Sequence, residues 1–267
     1  MRDGPVVREK LRSRSVCPAG WWPDAVLLVA LLALTVALAN GHLFGWDRAV
    51  ADWADTHRPP AAYWTARILN YLGQGTPLLL IALGLAGLVA WRTRSVRPVL
   101  PVLLTAALIY LTVAPLKILT ARPAPSADVR EPFLPPAQTL PLFQHDLPLS
   151  YARSYPSGHV TNTILWYGVL ALLLAALLRT LGRSLPDGLV TLVRVLPPAV
   201  VFGTTTYLGW HWLTDSVAGL LLGLILDRLL HRVPWDDVPL PGRLGEWTRP
   251  ALFREDRPEL FGEGRTE

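Results

Sequence analysis

Long uncharged stretches alternate with short basic segments along the chain. Five apolar runs cover Ala25–Trp46, Gly73–Trp91, Pro98–Leu116, Val160–Leu178 and Val195–Trp210. A sixth run, Ser216–Leu226, is shorter, and its flanking residues extend it as a helix from His211 to about Leu230. A bilayer core of about 30 Å requires roughly 20 helical residues. The pattern therefore predicts an all-α integral membrane bundle of about six transmembrane helices.

The composition agrees with this interpretation. Apolar residues make up 51% of the 267 residues and charged residues only 17%, whereas a soluble domain has about a quarter charged residues. A chain of this length is too short to enclose so many apolar helices in a soluble core. A large soluble protein is therefore excluded in favour of a membrane protein.

Lysine and arginine are concentrated in alternate connections, which predicts the orientation in the membrane. They occur in the N-terminal arm, in the second and fourth loops and at the end of the sixth helix: Arg2, Arg8, Lys10, Arg12, Arg14, Arg92, Arg94, Arg97, Arg179, Arg183, Arg228 and Arg232. The prediction is a multi-pass plasma membrane protein with both termini in the cytoplasm. The net charge of +5 is explained by this orientation, and nothing indicates binding to nucleic acid.

The chain divides into one membrane domain with two appendages. Residues 1–20 form a basic arm suited to anionic headgroups, and residues 21–232 form the membrane domain. Residues 233–267 are rich in proline and mixed charge, which predicts a disordered cytoplasmic tail. The first outer loop has tryptophans among charged residues and predicts one or two amphipathic interfacial helices. The third loop, of about forty residues, is proline-rich, and loops of that length are usually functional or disordered.

Three groups of polar residues fall at the predicted outer ends of the helices. They are Lys117 and Arg122 after the third run, Ser157, Gly158 and His159 before the fourth, and His211 and Asp215 at the start of the sixth. Each group alone has an ordinary explanation: a lysine that reaches the interface, a helix cap, or a hydrogen-bonded pair one turn apart. Their occurrence on one side of the membrane instead favours a functional site.

The residue types fit phosphoryl transfer. A helix that begins at Ser157 presents free N–H groups to an anion, and Gly158 allows an oxyanion to approach the backbone. Lys117 supplies a positive charge. Asp215 is placed to orient the His211 imidazole, whose other nitrogen is then free to attack phosphorus. His159 is placed to protonate the leaving oxygen.

These residues resemble the three motifs of the type 2 phosphatidic acid phosphatase (PAP2) superfamily, which are Lys-x6-Arg-Pro, Pro-Ser-Gly-His and Ser-Arg-x5-His-x3-Asp. Pro156-Ser157-Gly158-His159 matches the second motif completely. The segment Tyr207–Asp215 resembles the C-terminal part of the third. The similarity extends over roughly Trp46 to Leu230 and includes the six-span layout.

The resemblance implies metal-independent transfer of phosphate from lipid phosphates or diphosphates through a phosphohistidine, without a cofactor. It assigns His211 as the nucleophile, Asp215 as its partner and His159 as the acid. Lys117, Ser157 and Gly158 would bind phosphate. A metal site formed by His159, His211 and Asp215 is a remote alternative, because Lys117 would oppose a cation. Lipid phosphates and isoprenoid diphosphates present the same group to such a site, so the substrate stays open, as does the oligomeric state.

Two positions depart from the superfamily pattern. Ala124 stands where the first motif has arginine, and Thr205 where the third has arginine. We expect Arg122 to bind phosphate in place of one of them, with Arg130 and Arg153 as further candidates. The remaining alternatives are a less highly charged substrate, or a protein that binds lipid phosphates without turnover.

Overall fold

A computed structural model of the chain describes residue 18 and residues 20–126, 140–147, 152–242 and 252–253. These residues contain helices and connecting segments and no β-strand. The helices, numbered in chain order, are α1 (Trp22–Ala39), α2 (Phe44–Thr56), α3 (Pro60–Leu69), α4 (Gly75–Thr93), α5 (Val99–Thr120), α6 (Gly158–Thr180), α7 (Asp187–Tyr207) and α8 (Leu213–His231). A 3₁₀ turn, Asn70–Gly73, joins α3 to α4.

Five helices, α1, α4, α5, α6 and α7, are long and apolar enough to cross a membrane. They have 18 to 23 residues, which at about 1.5 Å per residue matches the thickness of a bilayer core. Helix α8 has 19 residues and is more polar, since it contains Asp215, Asp227 and Arg228. It packs along α1 and α6 as the sixth member of the bundle. The predicted all-α membrane bundle is confirmed.

Helix α6 lies at the centre of the bundle. In its most apolar 18-residue stretch 61% of the residues are buried, against 11% in α1 and 22% in α4 and α5. It packs against α4, α7 and α8, and the apolar faces that the outer helices turn away from it are exposed, as lipid-facing surfaces are. The N-terminal end of α6 is therefore fixed by helices on several sides.

Two glycines allow α8 to approach α6 closely. A Cβ atom on Gly219 would lie 2.5 Å from the backbone oxygen of Ser157, and one on Gly223 would lie 2.7 Å from Cδ1 of Ile164. Small residues are common where membrane helices meet, because they let the backbones come together. This contact brings the start of α6 against the first turns of α8.

The connection between α1 and α4 contains two helices, α2 and α3, as predicted. On α2, Phe44 is partly buried and Asp47 and Ala54 are buried, at helical spacing on one face, while Trp46 and Trp53 are exposed. The hydroxyl of Tyr207, at the end of α7, donates a 2.6 Å hydrogen bond to the backbone oxygen of His57. The segment that contains α2 and α3 is thus attached to the helix bundle.

The fifth span begins earlier than the sequence predicts. The expected run started at Val195, after Arg194, whereas α7 begins at Asp187 and includes this arginine. The structure explains the difference, because Arg194 donates a 2.6 Å hydrogen bond to Asp227 on α8. A paired arginine is far less costly within a membrane domain than an isolated one.

Part of the predicted disordered tail is packed on the domain. Arg97 donates to the backbone oxygens of Trp235 and Val238 at 2.8 and 2.9 Å, and Trp235 is buried in the core beside α6. Asp236 accepts hydrogen bonds from the backbone N–H groups of Leu252 and Phe253. These tail residues are packed on the domain because Trp235 and Phe253 supply apolar contacts. Residues 1–17, most of the predicted basic arm, lie outside the described residues.

Candidate active site

The polar groups predicted from the sequence meet at one end of the helix bundle. Lys117 lies in the last turn of α5, His159 in the first turn of α6, and His211 in the short connection between α7 and α8. They line a cavity of about 560 Å³ together with Gly73, Gln74, Gly75, Ala124, Ser126, Arg153, Ser154, Gly158, Asn162 and Trp210. The structure therefore brings these predicted polar helix ends together around one cavity.

The two histidines face each other across this cavity. Their ring centroids are 6.0 Å apart, and the His159 ring also lies 5.9 Å from that of Trp210. Nδ1 of His211 is 3.6 Å from Oδ2 of Asp215, a distance that is longer than a hydrogen bond but within ion-pair range. Nδ1 therefore faces the carboxylate, and the imidazole also lies against the backbone oxygen of Ser154.

The surroundings of His211 favour a neutral imidazole. Burial lowers the pKa of His211 below its ordinary value, and the nearby Asp215 opposes that shift. The cause is the loss of hydration that a charged imidazole suffers in an enclosed site. A neutral ring has a free lone pair, which is the state required of a nucleophile.

Asp215 is held by its own helix. Its Oδ2 accepts a 3.0 Å hydrogen bond from the backbone N–H of Trp212 at the N-terminus of α8. Its backbone oxygen accepts a 2.9 Å bond from the N–H of Ser157. These contacts connect the first turn of α8 to the residue that precedes α6, so the carboxylate and the start of α6 are positioned together.

Lys117 and Gly158 lie side by side in the cavity wall. Cε of Lys117 would be 3.4 Å from a Cβ atom on Gly158, and Nζ donates a hydrogen bond to the backbone oxygen of Arg153. Ser157 is buried and lies behind the wall, where its hydroxyl accepts from the N–H of Val160 at 3.5 Å. Lys117 and Gly158 are thus placed to meet an anion, whereas Ser157 caps the helix.

Arg122 lies outside the cavity and is fully buried. Its Nη1 donates to Oδ1 of Asp215 at 2.6 Å and to the hydroxyl of Thr214 at 2.8 Å. Its Nη2 donates to Oδ2 of Asp47 at 2.6 Å, and Nε to the backbone oxygen of Leu140 at 2.8 Å. The expectation that Arg122 faces the phosphate therefore needs correction, because its donors are occupied behind Asp215.

The other positions considered for a phosphate-binding arginine differ in whether they line the cavity. Ala124 lines the cavity, at the position where the first motif has arginine, and Thr205 is buried away from it. Arg153 lines the cavity, while Arg130 lies outside the described residues. Among the described residues, the lysine and arginine side chains that line the cavity are therefore Lys117 and Arg153.

Sequence reasoning missed Asp47. This residue is 1% exposed, and it accepts hydrogen bonds from the N–H of Thr214 at 2.9 Å and from the hydroxyl of Thr214 at 2.7 Å. Burial raises the pKa of Asp47, and the Arg122 guanidinium opposes that shift. The available signal was its position on the apolar face of α2, between Phe44 and Ala54, where a carboxylate needs a partner.

Within the described residues, no group of three or more His, Cys, Asp or Glu side chains is placed to hold a metal ion. The cavity instead joins two histidines, two basic side chains and the N-terminus of a helix. Such a combination can bind an anion and supply both a nucleophile and an acid.

Comparisons with known proteins concern the fold and the family. A comparison with curated proteins gives no match. The fold resembles the crystal structure of a transmembrane PAP2-type phosphatidylglycerolphosphate phosphatase from Bacillus subtilis, with a TM-score of 0.61 and 23% identity, over 78% of this chain and 94% of that one. The family model of the PAP2 superfamily matches residues 98–239, slightly more than half of the chain. The chain belongs to the PAP2 superfamily.

Proposed function

We propose that this protein is a phosphatase or phosphotransferase that acts on lipid phosphates or lipid diphosphates through a phosphohistidine at the extracytoplasmic face of the membrane. The observation that carries the proposal is the position of His211 and His159 in one cavity, with Asp215 behind the first of them. Membership of the PAP2 superfamily supports the same reaction class.

In the first step, the lone pair of His211 Nε2 attacks phosphorus, and the bond from phosphorus to the leaving oxygen breaks. His159, protonated, gives its proton to that oxygen, so an alcohol or a lipid monophosphate departs. Asp215 stabilises the positive charge that develops on the His211 ring. The products are the released lipid and a phosphoryl group bonded to Nε2.

In the second step, water attacks phosphorus and the phosphorus–nitrogen bond breaks. His159, now neutral, accepts a proton from the water as it attacks. Inorganic phosphate leaves, and both histidines return to their starting states. If an alcohol replaces water, the same step transfers the phosphoryl group, which makes hydrolase and transferase two uses of one mechanism.

The phosphate oxygens are bound by Lys117, by the first N–H groups of α6 at Gly158, and by Arg153. Helix N-termini favour anions because unpaired N–H groups and the helix dipole point at them. Arg153 replaces one of the arginines absent at positions 124 and 205, since it lines the cavity. Ser157 contributes indirectly, by capping α6.

Two observations support a lipid substrate. Gly73, Gln74 and Gly75 form part of the cavity wall at the start of α4, and α4 exposes Leu80 and Ile81 on its outer face. An acyl or isoprenoid chain can therefore lie along α4 while its phosphate enters the cavity. The basic residues expected on the cytoplasmic side belong to the opposite end of the bundle, which supports an outward-facing site.

The test is phosphate release in detergent from a panel of lipid monophosphates and diphosphates, with wild type compared with His211→Ala. We expect release by the wild type, insensitivity to chelators, and loss of release in the variant. Equal release by both proteins would refute the proposal.

A second candidate is a protein that binds lipid phosphates without turnover. It is favoured by Ala124, which lines the cavity without a charge, and by the burial of Thr205 away from the cavity. Saturable binding of a lipid phosphate that is unchanged in His211→Ala, with no turnover of any member of the panel, would support this candidate.

A further inference from the structure

Three charged side chains form a continuous buried row behind the nucleophile. Asp47 pairs with Arg122 at 2.6 Å, and Arg122 pairs with Asp215 at 2.6 Å; all three side chains are 0% exposed. The outer member comes from the interfacial helix α2, and the inner one is the carboxylate that faces His211. The row therefore extends from the first outer loop to the reacting imidazole.

The net charge of this row matters for the imidazole. Two carboxylates and one guanidinium carry a net charge of −1, the same as a single aspartate beside His211. Without Asp47, Arg122 would neutralise Asp215, and without Arg122, two buried carboxylates would face each other, which disfavours ionisation of both. The row therefore keeps one negative charge available to the imidazole only while both of its outer members are present.

The row also fixes the orientation of the Asp215 carboxylate. Arg122 takes Oδ1 of Asp215, so Oδ2 is left for the N–H of Trp212 and for His211. Asp47 binds the N–H and the hydroxyl of Thr214, the residue that precedes Asp215. Both contacts act on the first turn of α8 and together determine where the carboxylate points.

We propose that Asp47 and Arg122 are positioning residues, which orient Asp215 and preserve its charge for His211. This inference rests on the proposed function, in which His211 is the nucleophile. It assigns Arg122 a role behind the site instead of at the phosphate, and it adds Asp47, which lies outside the three sequence motifs.

A second ion pair provides a matched control. Arg194 and Asp227 are also 2.6 Å apart, and His231 lies one turn after this aspartate, with Nδ1 3.3 Å from its Oδ1. Asp227 lies near the C-terminus of α8, whereas Asp215 lies in its first turn. Asp227→Asn therefore breaks an ion pair of the same length, in which the arginine is 33% exposed and the aspartate is buried, without touching the cavity.

The experiment uses the full chain in detergent with histidine labelled by ¹³C. The protein has six histidines, and the signal lost in His211→Ala identifies His211. The midpoint of its titration is measured alongside kcat and KM for phosphatidic acid, in wild type, Asp47→Asn, Asp227→Asn and the double variant Asp47→Asn/Arg122→Met. The other titratable or charged groups that face His211 are Asp215, Lys117, His159 and, in the same cavity wall, Arg153, and all variants retain them.

For Asp47→Asn we expect kcat to fall about tenfold or more with KM within about threefold, as is typical when a partner behind a functional group is removed. The His211 midpoint should fall by about 0.5 pH unit or more, because an unbalanced Arg122 disfavours the imidazolium. The double variant restores a net charge of −1, so its midpoint should return to the wild-type value while kcat stays low. Asp227→Asn should match wild type in both quantities.

A folded Asp47→Asn that matches Asp227→Asn in kcat and midpoint overturns the inference, as does a kcat loss with an unmoved midpoint, which indicates a merely structural role. If Asp47→Asn does not fold, the double variant decides, and wild-type kcat in that protein overturns the inference. The midpoint of the His211 titration can be measured whether or not the protein turns over a substrate. A wild type without phosphatase activity, whose His211 midpoint still depends on Asp47, refutes the proposed function and keeps the positioning role.

Discussion

Nη1 of Arg122 lies 2.6 Å from Oδ1 of Asp215, the carboxylate whose second oxygen faces His211. Arg122 therefore lies behind the His211–Asp215 pair, and among the described residues the lysine and arginine side chains that line the cavity are Lys117 and Arg153. Substitutions of Lys117 or Arg153 should therefore affect substrate binding, whereas substitutions of Arg122 should affect the reactivity of His211.

Arg153→Ala should lower kcat/KM, because a contact with the phosphate is lost. A charge-assisted hydrogen bond contributes about 1.5–3 kcal/mol, which corresponds to a loss of about ten- to hundredfold in kcat/KM. Initial rates with a lipid monophosphate in mixed micelles measure this effect. Arg183→Ala is the control, because Arg183 is exposed after the C-terminal end of α6. If the two variants have the same kcat/KM, Arg153 does not bind phosphate.

The pH profile should report the burial of His211. Burial lowers the pKa of His211, so the nucleophile stays neutral at pH values where an exposed histidine is already protonated. Activity should fall with acid only below the ordinary midpoint of about 6.5. The measurement is kcat/KM between pH 4 and 8 in wild type. An acidic limb centred above 6.5 would contradict a neutral, desolvated nucleophile.

Gly219→Ala should disturb the junction between α6 and α8. The new Cβ would lie 2.5 Å from the backbone oxygen of Ser157, and overpacking of this kind costs about 1–3 kcal/mol. We expect a lower thermal midpoint in detergent and reduced kcat, since Ser157 and Asp215 are connected through their backbones. Gly84→Ala is the matched control, because nothing lies within 4 Å of its added Cβ. Equal stability of the two variants would show that the close approach is not required.

Much of the architecture could be predicted from the sequence, for a physical reason. A bilayer demands long apolar helices, so the runs in the sequence mark the spans directly. Polar residues at helix ends, such as Lys117 and His211, were noticeable because they contrast with apolar neighbours. The helix start at Ser157-Gly158 carries a local capping signal that does not depend on the remainder of the fold.

The remaining features depend on contacts between distant parts of the chain. The early start of α7 requires Asp227 to pair with Arg194, 33 residues away. The buried position of Arg122 depends on its ion pair with Asp47, which is 75 residues away. The burial of Trp235 depends on a cluster of apolar side chains from α4, α5 and α6. A single sequence shows each of these residues but not its partner, so the partner had to come from the structure.

The most direct test of the account is to trap the phosphoenzyme. Purified protein is mixed with phosphatidic acid carrying ³²P in its phosphate, quenched within milliseconds to seconds, and analysed for protein-bound label that is stable to alkali and labile to acid, as a phosphohistidine is. We predict such label on the peptide that contains His211 in wild type, and none in His211→Ala. Label that persists in His211→Ala, or wild-type rates of phosphate release by that variant, would contradict the account.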